Sequence, residues 1–296
     1  MSPRNGCAPR ASNAGSRPAY AHRVDEELLW IAKATGAEHV QRGDRIQSVW
    51  GGYGELFRVH LTGAAVASAV VKSVKPPARR RGATDASHAR KCRSYDVETA
   101  WYRSFASRCD DTCRVPRLWS SEVAHDRWLF LLEDLDAAGF GKRRRREPDP
   151  VALDRCLAWL ASFHARFVGV TPSGLWKTGT YWHLATRPDE LAALDDPGLR
   201  EAAPVLDRML RQAAFQTIVH GDAKLANFCF SHDGHAVAAV DFQYVGGGCG
   251  MKDVAYFLSS CSDDGFDPHE ARHLDRYFEL LRGALATRSE RVDADA

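Results

Sequence analysis

The stretch IVHGDAKLANFCF, residues 218–230, passes from apolar to polar and back to apolar. Within it Asp222, Lys224 and Asn227 stand at i, i+2 and i+5. The residues that follow give this spacing a geometry. NFCF reads as a short strand, SHDG as a turn whose Asp-Gly suits positive φ, and HAVAAVDF as the returning strand. A turn near residue 233 sets Asn227 across from about residue 239 and returns Asp241 to the same end of the hairpin. One amide oxygen and one carboxylate, both hard donors, converge there. Such a pair suits Mg²⁺, which takes one or two protein oxygens and leaves its other positions to water and phosphate. Asp222 and Lys224 precede the first strand at that same end.

A polar loop capping a hairpin, with Asp222 and Asn227 making turn bonds, is the plainer explanation. Yet Asp, Asn five residues on and then an Asp-Phe pair is the order of base, metal ligand and second metal ligand in kinases. In that reading Asp222 accepts the proton of an attacking hydroxyl and Lys224 offsets charge on the moving phosphoryl group. Asn227 and Asp241 hold Mg²⁺.

Such chemistry needs a nucleotide site, and the first half of the chain offers residues for one. In SAVVKSV, Val70, Lys72 and Val74 share a strand face, and a lysine on an apolar face needs a partner or a ligand. A helix read at 94–108 carries Glu98, Trp101, Tyr102 and Phe105 at i, i+3, i+4 and i+7. Singly, Lys72 is explained as an edge lysine reaching water, and Glu98 as a residue at the margin of its stripe. Together they match the Lys–Glu pair that orients nucleotide phosphates. Gly51, Gly52 and Gly54 lie between two strand segments, where backbone N–H groups can approach phosphate. They form an incomplete glycine loop that an ordinary hairpin turn also explains. Glu133 and Asp134 end the strand LFLLEDL where the two halves join.

Elsewhere, VDEELLWIAKATG predicts a helix over 24–36 with Leu28, Ile31 and Ala32 on one side, and 46–75 is strand-like. The proline- and arginine-rich segment 76–93 reads as a loop, and 117–132 as a strand pair. Residues 151–168 predict an amphipathic helix with Leu153, Leu157, Leu160 and Phe167 inward, and more helix follows to 215. Asp267, Pro268 and Glu270 signal a last helix with Leu274, Tyr277, Phe278 and Leu281 inward. The expected fold is α+β: a strand-rich N-terminal lobe over 23–135, a helix-rich C-terminal lobe over 136–288, and tails at 1–22 and 289–296.

A net charge of +2 argues against a polycation or polyanion role. The runs PPARRR and KRRRRE lack interleaved aromatics and read as solvated charge rather than a nucleic-acid surface. Eight cysteines with no C-x-x-C and no export signal do not read as a disulfide framework. The longest nearly apolar run, residues 64–71, is far short of the roughly 20 residues a membrane helix needs. A cytoplasmic protein is expected, and nothing fixes its oligomeric state.

HGDAKLAN, VDFQ, CGMKDVAYFL, LLEDL, RSYDVETAWYR, LAWLASFHARF and GTYWHLATRP together resemble the aminoglycoside phosphotransferase and choline kinase group of the kinase-like fold. They look closest to its ecdysteroid-kinase-like branch. The resemblance covers about residues 40–285. It implies Asp222 as catalytic base, Asn227 and Asp241 as Mg²⁺ ligands, and Lys72, held by Glu98, on the ATP phosphates. It further implies that His220 and Asp253 brace the catalytic loop and that the backbone at Glu133 meets the adenine edge. His164 reads as a packed structural histidine. Where protein kinases have Asp-Phe-Gly, this chain has Gln243. Only eleven residues separate Asp241 from Asp253, with Tyr244 the sole hydroxyl, which leaves no room for a phosphorylated activation segment; the glycine run 246–248 fits a tight, mobile loop instead.

The expected activity is ATP- and Mg²⁺-dependent phosphorylation of a small-molecule alcohol. A nucleotide-binding scaffold without turnover is the alternative, against which every motif position is present. In SGLWKTGTYWHL, Trp176, Tyr181, Trp182 and His183 line either the core or an acceptor pocket, and PDELAALDD is the one acidic candidate. An uncharged or apolar alcohol is expected.

Overall fold

The computed structural model describes residues 19–49, 52–76, 85–144, 148–262 and 269–294. Its first element, α1 (Ala19–Thr35), begins inside the stretch read as a tail. Five antiparallel strands follow: β1 (His39–Val49), β2 (Gly54–Thr62), β3 (Ser68–Val74), β4 (Leu118–Ala124) and β5 (Arg127–Glu133). They are ordered β1-β2-β3-β5-β4 in one sheet. Between β3 and β4 lies α2 (Asp85–Ser104).

Both faces of this sheet are covered, and its period-2 alternation sorts the residues. Phe57, Val59, Leu61, Val71 and Leu131 pack with Ile31 of α1. Val74, Phe130 and Leu132 turn the other way, toward Tyr95, Trp101 and Tyr102 of α2. Lys72 is in register with Phe130 and shares that second face.

Gly54 illustrates how closely the strands approach. It pairs with Val49 on one side and Val74 on the other. A Cβ there would lie 2.9 Å from the Val74 Cα and closer still to the Ser73 carbonyl oxygen. Gly54→Ala is therefore expected to cost about 1–3 kcal/mol of unfolding free energy by overpacking, measurable in a urea titration.

After β5 come β6 (Lys142–Arg143), α3 (Pro150–Phe167), α4 (Pro188–Ala192), α5 (Pro197–Gln212), β7 (Gln216–Val219), β8 (Phe228–Phe230), β9 (Val237–Ala239), β10 (Gly246–Cys249), α6 (Met251–Ser259) and α7 (Glu270–Ala294). Asp149 caps α3 through a 2.8 Å bond from the Ala152 N–H, with proline at the first helical position. The architecture is α+β, strand-rich first and helix-rich second. A single apolar cluster runs from Val49 and Val74 through Trp101, Phe163 and Phe242 to Tyr277, so both parts share it.

Four further expectations are corrected. Residues 85–93, read as loop, form the first half of α2. The side chains there reach distant partners: His88 Nδ1 lies 2.9 Å from the Tyr53 hydroxyl, Arg90 donates to the Thr186 carbonyl, and Arg93 to those of Gly174 and Leu175. The glycine run at 246–248, read as a mobile loop, is strand β10 paired with β7. Its glycines answer to close packing, since a Cβ at Gly247 would lie 3.0 Å from the Lys177 carbonyl oxygen. Phe278 is exposed, because α7 docks through Leu274, Tyr277 and Leu281 and leaves Phe278 at the margin. Finally, α7 runs on through 289–294, read as a tail. Asp267 and Pro268 lie outside the described residues, as do residues 1–18 and Gly51. All described cysteines are free. Among the described residues no helix is long and apolar enough to cross a membrane.

Candidate active site

β8 and β9 pair with Phe228 opposite Ala239. The Val240 N–H donates to the Asn227 carbonyl, so Asn227 lies against residue 240, one step from the expected register. The hairpin thus carries Asn227 and Asp241 to one end, and both line a cavity of about 590 Å³ between the sheet and the helical part. Lys72, Glu98, Glu133 and Lys224 line it too. From the β1–β2 hairpin its walls take Ile46 to Val49 and Leu56; Gly52 and Gly54 are not among them.

Asp222 is buried, and its two oxygens differ. Oδ2 accepts from Lys224 Nζ at 2.8 Å and from Asn227 Nδ2 at 3.0 Å. Oδ1 is buried with no hydrogen-bond partner among the described residues. Burial, opposed by Lys224 but reinforced by the charge of Asp241, holds the Asp222 carboxyl above its ordinary range. The Asn227 amide nitrogen also donates to the Asp222 carbonyl at 2.8 Å. With its hydrogens committed to Asp222, its side-chain oxygen is the atom left for a cation.

Asp241 has φ +72°, a left-handed backbone that a non-glycine residue rarely adopts. Its Oδ1 is also buried without a hydrogen bond among the described residues, 3.7 Å from Lys72 Nζ. Lys72 Nζ donates to both oxygens of Glu98, at 2.8 and 2.7 Å. Burial, offset in part by Lys72, pushes the Glu98 carboxyl up to about 7. The β5 end carries Glu133 and Asp134, whose side chains are engaged. Glu133 binds Arg114 at 2.6 Å and the Arg117 N–H at 3.0 Å. Asp134 binds Arg58 at 2.6 Å and Ser68 at 2.7 Å. No cluster of three or more His, Cys, Asp or Glu that could hold a metal occurs among the described residues. The hard oxygens of Asn227 and Asp241, one of them orphaned, nevertheless fit a Mg²⁺ that keeps most of its positions for water and phosphate.

A model of the phosphotransferase enzyme family matches residues 46–290. The chain belongs to this family. Solved structures similar to this phosphotransferase include an aminoglycoside-3'-phosphotransferase of type VIII, at 15% identity and TM-score 0.47, covering 86% of this chain and 90% of that one. A protein assigned as a fructosamine-3-kinase from Thermobifida fusca is 20% identical, with TM-score 0.48 and 87% of each chain covered. Another so assigned, from Haemophilus somnus, is 13% identical, with TM-score 0.48 and 86% and 81% covered. A search of curated proteins gives no match.

The polar loop of the phosphotransferase is held from behind. Asp253 on α6 is buried and accepts from the His220 N–H at 2.6 Å and the Gly221 N–H at 2.9 Å. Gly221 has φ +81°, and a Cβ there would collide with the Tyr244 backbone. His220 Nδ1 takes the Asp222 N–H at 3.2 Å, so its Nε2–H donates to the Val240 carbonyl at 3.0 Å and ties the loop to the hairpin.

His164, read as packing alone, is part of this support. Its Nε2 lies 3.1 Å from Asp253 Oδ2 and its Nδ1 2.8 Å from the Tyr277 hydroxyl. Burial opposes the charge of Asp253, but the His164 hydrogen bond and charge help to hold its carboxyl below the ordinary range. Asp253 therefore contributes stability that is present above the unfolded carboxylate range and lost as pH falls through its own lowered value. Tyr277→Phe strands the His164 nitrogen and is expected to cost about 1–3 kcal/mol in chemical unfolding.

Of the aromatic candidates, Trp176 donates to the Gln243 carbonyl and stacks on Tyr244, and His183 is held by Asp207 at 2.9 Å. Tyr181 and Trp182 instead line a second cavity, of about 440 Å³, beside Gly221 and Tyr256.

Proposed function

We propose that this phosphotransferase is an ATP- and Mg²⁺-dependent kinase of the ecdysteroid-kinase-like branch, acting on a hydroxyl of a small molecule. The observation that carries the reading is the place of Asp222. Gly221 lines the 440 Å³ cavity and Lys224 the 590 Å³ cavity, so the chain passes from one to the other through Asp222. A base at that partition can serve an acceptor on one side and a phosphoryl donor on the other.

In this reading the larger cavity takes ATP. Val70, Leu132 and Leu135 give it apolar walls for a base, while the engaged side chains of Glu133 and Asp134 leave the backbone there for the adenine edge. Lys72, fixed by Glu98, reaches the phosphates. Asn227 and Asp241 hold Mg²⁺, which neutralises phosphate charge when bound. Asp222 Oδ1 takes the proton of the acceptor hydroxyl as its oxygen bonds to the γ-phosphorus and the bond to ADP breaks. Lys224, bonded to Asp222 Oδ2, offsets the negative charge on the transferred group.

Calorimetric titration of Mg·ATP, followed by a screen of hydroxyl compounds for ADP release, tests this. Binding of Mg·ATP and acceptor-dependent ADP release are expected. Failure to bind ATP, or full turnover in excess chelator, would contradict it.

A further inference from the structure

The second cavity is built largely on one face of α6. Lys252, Tyr256 and Ser259 stand at i, i+4 and i+7 and line it together, while Asp253 turns inward to the loop. Tyr181 and Trp182 form part of the remaining wall. At about 440 Å³ it suits a small organic molecule. Gly221, the residue before Asp222, lines it beside Tyr256, and this is its reacting end.

The two charges of this cavity are engaged unequally. Its two acidic and basic lining residues are Asp253 and Lys252. Asp253 is spent on His164 and the His220 and Gly221 N–H groups. Lys252 forms no hydrogen bond or ion pair among the described residues, although burial holds its ammonium below the usual range. It also lines a third cavity, of about 410 Å³, with Lys177, Asp207 and Arg211. Asp207 is taken by His183 and Arg211, each at 2.9 Å, and together with Asp253 it acts on Lys252 through charge alone. The carboxylates of PDELAALDD, which a cationic acceptor would use, line none of these cavities.

A half-buried ammonium with no hydrogen bond or ion pair among the described residues, in the wall of a pocket that also carries Tyr181 and Trp182, is suited to a monoanion. We propose that the acceptor is a hydroxy acid: a molecule with a flat apolar body whose carboxylate binds Lys252 while its hydroxyl meets Asp222. This rests on the reading of Asp222 as the base, and it replaces the expectation of an uncharged alcohol with an anionic one.

The test uses three probes of one shape: 4-(hydroxymethyl)benzoate, 4-(hydroxymethyl)benzamide and 4-(hydroxymethyl)benzylamine. Binding by ligand-observed NMR and ADP release are measured with full-length protein and Mg·ATP. The acid should be preferred to the amide by about tenfold, the worth of one charge-assisted contact, and the amine should be poorest. In Lys252→Met the acid should fall to the level of the amide; Lys252→Arg should keep part of the preference. The wild-type ranking stands even if a variant folds poorly. Preference for the amide or amine, failure of all three to bind, or an acid preference that survives in Lys252→Met overturns the proposal. Mg·ATP binding is titrated in each preparation. A wild-type protein that does not bind ATP indicts the kinase reading itself, whereas ATP binding without acid preference indicts only the hydroxy acid.

Discussion

Asp222→Asn is expected to lower phosphoryl transfer by about 10²–10⁴-fold while ATP affinity stays near that of the wild type. The substitution keeps the size of the side chain and removes its capacity to take a proton. The fold should tolerate it. Lys224 is partly exposed and can return to water, and an amide oxygen can still accept from Asn227 in place of Oδ2. What is lost is the charge on Oδ1, buried and without a hydrogen-bond partner among the described residues. Burial raises the Asp222 carboxyl, and a base works only when deprotonated. The wild-type rate should therefore climb with pH through a limb above the ordinary carboxylate range, and this limb should vanish in the variant. Normal turnover in Asp222→Asn would remove the assignment. Lost ATP binding would move Asp222 into the metal shell.

Asp241→Ala is expected to lose at least about 10²–10³-fold, the scale seen when one preorganised electrostatic group is removed. The loss should be joined by weaker dependence of ATP binding on Mg²⁺. Asp241 contributes more than a charge, since its left-handed backbone aims the carboxylate into the cavity. Alanine tolerates that backbone poorly, so Asp241→Asn is the companion variant: asparagine accepts positive φ and retains one oxygen. If both variants lose activity but only alanine loses stability, charge and conformation are separated. Full activity of Asp241→Asn without added Mg²⁺ would contradict the metal role.

Much of the site is legible in the sequence because its parts have short periods. The strand alternation that gives Lys72 its face and the helical spacing that turns Glu98 inward are local patterns, and the structure brings the two side chains within 2.7 Å. The Asp222–Asn227 spacing and the Asp-Gly turn are local as well. The bracing of Asp253 is not. It needs α3, α6 and α7 to meet, with His164 bonded 89 residues away to Asp253 and 113 residues away to Tyr277. No window of sequence contains that arrangement. The first half of α2 is hidden for another reason. Residues 85–93 are polar on all sides and lack an apolar stripe, so their helicity goes with the long-range bonds of His88, Arg90 and Arg93. β6 is missed likewise, because its Lys142 and Arg143 read as solvated charge while their backbone pairs with β8.

The aromatic cluster beneath the site has a consequence for how the molecule idles. Trp101 lies three residues after Glu98, and Phe242 directly follows Asp241. Their rings stack at 4.6 Å, with Phe163 and Phe167 of α3 against the same indole at 5.6 Å each. Swinging α2 outward to disarm Lys72 would break this stack, at about 0.5–1.5 kcal/mol for each aromatic pair beyond burial. It would also pull Arg90, Arg93 and Ser94 from their partners at 174–186 and Gln243. The helix therefore has no cheap parked position. In the proposed kinase, such a helix is expected to leave Lys72 without a throttle, so that output follows the supply of the two reactants.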